Sequence, residues 1–195
     1  MSGHGAHGWT GWKAWMYALL HRNPASNRAV VEWAALRSDM DVLDVGCGSG
    51  AAVIAAAPHL PEGTAVGVDP SPDFVRIAKR RTRRLTNVAF DAAAAERLPF
   101  ESSRFDVAWS VHSTHHWDDL EAGIGEVRRV LRPEGRFLIV ERHDPSKPWG
   151  ISVGEAQALA ETMTHAGFRD AAVEERPVGW SKEFLITGST PTHND

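Results

Sequence analysis

Residues 41–50, Asp41-Val42-Leu43-Asp44-Val45-Gly46-Cys47-Gly48-Ser49-Gly50, decide how this chain folds. A short apolar run with an acidic residue near its end leads directly into three alternating glycines. Without a Cβ, glycine lets the backbone turn sharply and come within contact distance of a ligand. A helix is expected to start near Ala51, and helix starts offer unpaired N–H groups and a positive dipole end. Such ends suit a carboxylate or a phosphate. Strand, glycine turn and helix together predict a nucleotide-type cofactor site at the end of a parallel strand. An ordinary βα turn would need one glycine, not three.

Outward from this stretch the chain alternates strand and helix. Asn23-Pro24 offers a helix cap followed by proline in the first turn, and the helix after it would bury Val30, Trp33 and Ala34. The spacing predicts strands at Val42–Val45, Thr64–Val68, Val88–Phe90, Phe105–Val111 and Phe137–Val140. Ser71-Pro72 opens a helix expected to reach Arg84 with Phe74, Ile77 and Ala78 inward. Another helix covers Leu120 to Leu131. Ser152 and Glu155 form a capping-box pair for a helix through His165, which Gly167 is placed to end. Ala171–Glu175 and Phe184–Thr187 read as an antiparallel pair around Pro177 and Gly179. The sum is an α/β, Rossmann-like three-layer sandwich: a mostly parallel seven-stranded sheet with a C-terminal antiparallel strand pair.

At 195 residues, 43% hydrophobic and 24% charged, the chain has the composition of one globular domain. The single domain is expected to divide into a flexible 1–8, an N-terminal helical lid at 9–36, a cofactor-binding core at 41–188 and a loose tail at 189–195. The formal net charge of −4 gives no general pull toward nucleic acid or an anionic membrane. The basic run Lys79, Arg80, Arg81, Arg83, Arg84 therefore reads as a solvated helix face. No apolar run reaches the ~20 residues a membrane span requires, and no signal peptide is visible, so a cytoplasmic location is expected. Cys47 is the one cysteine. It lies inside the glycine turn, where a small packing side chain is wanted.

Two further carboxylates belong to the same cleft. Asp69 ends the second strand, nineteen residues past Gly50, where an acid can accept hydrogen bonds from ribose hydroxyls. Asp91 ends the third strand, where it can take the exocyclic amine of an adenine. A nicotinamide-dependent oxidoreductase is an alternative, because Gly46, Gly48 and Ala51 satisfy a permissive dinucleotide fingerprint. Against it stand Asp44, the third glycine, and the lack of a Tyr-x-x-x-Lys pair, Tyr17 being the one tyrosine. A non-catalytic cofactor-fold binding protein is a third reading.

Five segments carry a resemblance: VLDVGCGSG (42–50), VGVDPS (66–71), DAAAAERLPF (91–100), FDVAWSVHSTHHWDD (105–119) and EVRRVLRPEGRFLIVE (126–141). In this order and spacing they resemble the class I S-adenosylmethionine-dependent methyltransferases, in particular the small-molecule group similar to the ubiquinone and menaquinone biosynthesis enzymes. Glu134 departs from the family, which usually has a second glycine there. The resemblance implies that Gly46, Cys47, Gly48 and Gly50 hold the methionine part of S-adenosyl-L-methionine, with Asp44 toward its amino group. By the same resemblance Asp69 and Pro70 face the ribose, Asp91 and Ala92 the adenine, and Ser110 the sulfonium. The product would be S-adenosyl-L-homocysteine.

The acceptor is expected to be a small, apolar molecule, methylated by in-line displacement. A base is needed only if the acceptor carries a proton at neutral pH, and histidine titrates in that range. His112, His115 and His116 follow the fourth strand and are the candidates, with His143 behind them. A metal site with Asp118 is not expected, since His115 and His116 are adjacent and would point apart. No nucleic-acid target is expected either. Trp9, Trp12, Met16, Leu19 and Leu20 recur at helical spacing, and Trp9, Trp12, Trp15 and Tyr17 on that helix would form an apolar substrate lid or a homodimer contact. On the lid reading, removing residues 1–22 leaves cofactor affinity intact and abolishes turnover. Calorimetry beside an activity assay checks this, and an unfolded product would instead assign the tryptophans to the core.

Overall fold

The computed structural model describes residues 24–147 and 149–192. One sheet of eight strands organises them, in the order β3-β2-β1-β4-β5-β8-β7, with β6 also pairing β5. The strands are β1 Asp41–Val45, β2 Thr64–Asp69, β3 Val88–Ala92, β4 Phe105–Val111, β5 Leu131–His143, β6 Gly150–Ile151, β7 Arg169–Val178 and β8 Ser181–Ser189. The first six pair in parallel; β8 is antiparallel to both β5 and β7. The helices are α1 Pro24–Trp33, α2 Ala51–Ala56, α3 Pro72–Arg81, α4 Leu120–Val130 and α5 Val153–His165. None of them is long and apolar enough to cross a membrane.

Side-chain alternation along the strands builds the three layers. Leu43 and Val45 of β1, Phe105 and Ala108 of β4, and Phe137 and Ile139 of β5 pack against Ile124 and Val127 of α4 and Leu159 and Met163 of α5. Val42, Val107, Trp109, Leu138 and Val140 point the other way, onto Val30 and Val31 of α1, Ala52 and Val53 of α2, and Val75 and Ala78 of α3. Trp109 and Phe137 are wholly buried, and each such side chain contributes about 1.5–3 kcal/mol of transfer free energy. At the amino ends of the strands Arg132 bridges Asp106 and Asp41, the latter at 2.9 Å. Asp41 also accepts the Thr64 hydroxyl at 2.6 Å.

The structure corrects several expectations. The sheet has eight strands, not seven, because Gly150–Ile151 adds a short one beside β5. β5 begins at Leu131 rather than Phe137 and pairs with β4 across a register shift. α3 stops at Arg81, since the Thr82 hydroxyl folds back onto the Ala78 carbonyl at 2.9 Å. Its buried positions are Val75 and Ala78, with Phe74 and Ile77 half-buried. Residues 24–34 of the expected lid pack into the core: Val30 of α1 and Ala34 just past its end are fully buried, as their spacing predicts, while Trp33 is half-buried with the Arg176 guanidinium 5.3 Å from its ring. Residues 1–8, Trp9, Trp12, Trp15 and Tyr17 lie outside the described residues. The expected loose tail is ordered through Thr192: Thr190 donates its N–H to the Gly135 carbonyl at 2.8 Å, and Glu134 donates to Pro191 at 3.3 Å. Glu134 has φ +61°, which explains why a glycine suits that turn.

The turn after β1 requires glycine for two separate reasons. Gly46 has φ +78°, and a Cβ there would lie 1.7 Å from Ser113 Oγ. Gly50 has φ +76°, and its Cβ would meet the Phe90 ring at 2.8 Å. Gly46→Ala should therefore destabilise the protein by about 2–3 kcal/mol, lowering Tm by roughly 4–12 °C. Thermal melting measures this directly.

Candidate active site

The strand order reverses between β1 and β4, and the carboxyl ends of both open onto the same crevice. Gly46 and Cys47 both donate their N–H groups to the Val68 carbonyl at 2.9 Å. Gly48 donates to Asp69 Oδ2 at 2.9 Å, and Ser71 donates to Asp69 Oδ1 at 2.9 Å. Asp69, 7% exposed, thus fastens the glycine turn to the end of β2. Burial pushes its carboxyl up from the usual range, while the Ser71 and Gly48 N–H groups pull it back. Gly50 donates to Cys47 across the turn at 2.9 Å, and Ile54 donates to Gly50 at 3.0 Å as α2 begins. Arg81 clamps the turn from α3, donating to the Ser49 carbonyl at 2.7 Å and to its hydroxyl at 2.8 Å.

Gly48 differs from its two neighbours. Its φ is +51°, yet a Cβ there would meet nothing within 4 Å. The turn is packed from behind and open in front, as a cradle for a ligand must be. Cys47 is buried and free. A Cβ at Gly67 would lie 2.8 Å from its sulfur, so the thiol is packing. Burial and the charges of Asp44 and Asp69 push its pKa well up, which makes it a poor nucleophile.

Asp44 lies beneath the turn, 2% exposed. Burial raises its pKa to about 7; the Trp109 indole opposes that rise and the Asp69 charge adds to it. The Trp109 N–H does this without reaching hydrogen-bond geometry. Ser110, next on β4, is wholly buried, and its hydroxyl is without a partner among the described residues. A buried acid beneath an open glycine cradle fits a cationic amino-acid group, while Ser110 alternates to the opposite face of β4 from Trp109. Pairing aligns Asp69 with Ala92 and Val68 with Asp91, which carries the third predicted acid to the same sheet end. Asp91, Ala92 and Pro70 are exposed there.

His115 and His116 do not point apart as expected but bring their rings into contact, and His112 is drawn off to a different acid. His112 Nε2 lies 2.7 Å from Glu183 Oε2. His115 Nδ1 lies 3.3 Å from Glu141 Oε2, and its ring stacks on His116 at 4.1 Å between centroids. Burial, then the neighbouring His115, lowers the His116 pKa. Trp117 packs over Gly123 and the α4 side of the core. His143 is held by Glu175 at 2.9 Å.

Sequence reasoning missed Glu141 and Glu183, both wholly buried. Glu141 accepts the Thr114 N–H at 3.1 Å and the Thr114 hydroxyl at 2.6 Å. Glu183 accepts Ser26 of α1 at 3.0 Å. Burial opposes the Glu183 charge, but hydrogen bonds from His112 and Ser26 and the charges of His112 and Arg142 hold its pKa low. Both acids sit at the ends of apolar runs, FLIVE and EFLIT, and a charge in such a place was the available signal.

Residues 43–139 match the model of the family described as Methyltransferase domain. Over this half of its length the chain carries a methyltransferase domain, and its fold is that of the S-adenosylmethionine-dependent methyltransferases. The chain is 34% identical over 121 residues to the uncharacterized methyltransferase YcgJ of Bacillus subtilis, covering 61% of the chain and 47% of YcgJ. The chain thus spans about half the length of that curated relative. It is 28% identical over 174 residues to the 2-phytyl-1,4-naphtoquinone methyltransferase of Synechococcus elongatus, covering 81% of the chain and 73% of that enzyme. Its fold matches a SAM-dependent methyltransferase from Aquifex aeolicus with a TM-score of 0.77 at 19% identity, over 93% of this chain and 98% of that one.

The raised Asp44 pKa has a stability signature. The folded protein keeps this proton up to about pH 7, whereas the unfolded chain releases it near the ordinary carboxyl value of 3.8. The group's contribution is full below that value and drains away as pH rises to 7. Asp44→Asn should gain on the wild type over the same interval and keep the gain above it. Melting curves from pH 4 to 8 read the difference.

Proposed function

We propose that this chain transfers a methyl group from S-adenosyl-L-methionine to a small, apolar acceptor by in-line displacement, as a single domain working in the cytoplasm. The observation that carries this is the glycine turn, fastened to Asp69, open over Gly48 and underlain by the buried Asp44. The cofactor supplies an electrophilic methyl on a sulfonium. The protein's task is then alignment and exclusion of water.

Asp44 would face the cofactor's ammonium, whose charge favours the carboxylate form. Gly46, Cys47, Gly48 and Gly50 would offer backbone to the methionine part. Asp69, with lone pairs beyond those engaged by Gly48 and Ser71, and Pro70 would border the ribose. Asp91 and the Ala92 backbone would border the adenine, with Ser110 beside the sulfur. A quinone methyltransferase among the relatives supports a planar, apolar acceptor. The tryptophans at 9, 12 and 15 and Tyr17 would close over it, or meet those of a second copy.

Calorimetry with S-adenosylmethionine and with NADPH tests the assignment. Saturable binding of the first and none of the second is expected; the reverse overturns it. Gly48→Ala sharpens the test. Its new methyl meets no atom of the described residues, so folding should lose only about 1 kcal/mol to the left-handed backbone. Cofactor affinity should fall about tenfold or more, because the methyl enters the cradle.

A further inference from the structure

His112 is set apart from the other histidines of its loop. It holds φ +52°, a conformation that a non-glycine residue keeps only where its surroundings enforce it. The enforcing partner is Glu183 of β8, 2.7 Å from Nε2 and fully buried. The other Glu183 oxygen accepts the Ser26 hydroxyl of α1 at 3.0 Å and the Ser181 hydroxyl at 3.3 Å. Arg142 of β5 stands 3.9 Å from that oxygen. Three elements therefore fix one carboxylate, and that carboxylate fixes one imidazole.

The geometry assigns the proton. A carboxylate accepts, so the neutral ring carries its hydrogen on Nε2 and leaves the Nδ1 lone pair bare. Nδ1 makes no hydrogen bond among the described residues, and 23% of the side chain is exposed at the carboxyl end of β4. His115 presents the opposite nitrogen to its own acid and is stacked against His116. A base oriented by a third group is the arrangement that proton abstraction requires. A neutral amine has a free lone pair and needs no such pair.

On the reading that the chain transfers methyl groups, we infer that His112, positioned by Glu183, takes the proton of an acceptor hydroxyl of phenolic acidity. The hydroxyl proton passes to Nδ1 and the oxygen lone pair forms the new O–C bond. The C–S bond breaks with its electron pair left on sulfur, turning the sulfonium into a neutral thioether. Glu183 balances the imidazolium, which later returns the proton to water. Glu183 acts through His112 and is a positioning residue.

Two readouts test this on the full chain with S-adenosylmethionine bound. The first is 15N NMR of the His112 ring. A hydrogen fixed on Nε2 is expected in the wild type and lost from fixed position in Glu183→Gln; a wild-type ring carrying it on Nδ1 overturns the proposal. The second is transfer of labelled methyl to 1-naphthol and to 1-naphthylamine. Glycine accepts φ +52° freely, which offsets part of the cost of leaving Glu183 to Ser26 and Arg142, so His112→Gly should melt below the wild type yet fold and hold cofactor affinity within about twofold. Its labelling of 1-naphthol should fall about 100-fold or more, with partial recovery on adding imidazole, and Glu183→Gln should fall about tenfold. Unchanged labelling by His112→Gly, no recovery with imidazole, or labelling of 1-naphthylamine alone overturns the proposal. So does labelling of neither probe by a protein that binds the cofactor. Failure to bind the cofactor at all would instead remove the methyltransferase reading beneath it.

Discussion

Three N–H groups hold the turn that follows β1 to the end of β2. Gly46 and Cys47 share the Val68 carbonyl, and Gly48 takes one oxygen of Asp69. The rest of the crevice is arranged around this attachment. Because Ser113, Phe90 and Ala78 occupy the space where side chains at Gly46 and Gly50 would stand, the turn cannot relax backward. It presents its open side at Gly48 already shaped, so ligand binding has little backbone left to order.

Electrostatics follow the same geometry. Asp44, Asp69, Glu141 and Glu183 are all buried, and all sit toward the carboxyl end of the parallel strands. Concentrating acids in one water-poor region costs stability unless hydrogen bonds or cations compensate. Asp69 has two backbone donors, Glu141 has Thr114 on one oxygen while its other oxygen, 3.3 Å from His115, makes no hydrogen bond among the described residues, and Glu183 has His112, Ser26 and Arg142. Among the described residues Asp44 draws on the Trp109 indole, and the Asp69 charge works against it. A ligand bearing positive charge over the turn would supply Asp44 with what the protein does not. At the opposite end of the sheet Asp41 and Asp106 share Arg132, with the Thr64 hydroxyl and the Asp41 N–H as further donors, so the acids there are met from within the protein.

What could be read from the sequence was governed by local chemistry. The glycine turn, the Ser71 cap and the Ser152–Glu155 capping box each depend on residues a few positions apart, and all are present. Asp69 stands out by its distance from Gly50, but its hold on the Gly48 and Ser71 N–H groups depends on the fold and has no local signal. The failures have physical causes of the opposite kind. Gly150–Ile151 is too short to show a period. Pro133-Glu134-Gly135 reads as a turn, yet the chain stays in β5 because Thr190 and Pro191 bond to it from the far end of the sequence. The inward face of α3 was misphased because Phe74 and Ile77 are larger than Val75, while position decides burial. Glu183 and His112 are 71 residues apart, and no local pattern announces such a pair.

The loop from His112 to Trp117 is gripped from both sides of the sheet. Glu183, beside Leu185, faces the α1 layer, and Glu141, beside Ile139, faces the α4 and α5 layer. Each acid reaches the loop at a different residue, two or three positions apart. Adding or removing one residue here would carry a histidine or threonine to the wrong acid and strand a charge in the interior. The connection is therefore constrained in length even where its side chains could vary. In any recombination of this scaffold with its relatives, it would have to travel together with the two strands that carry its acids.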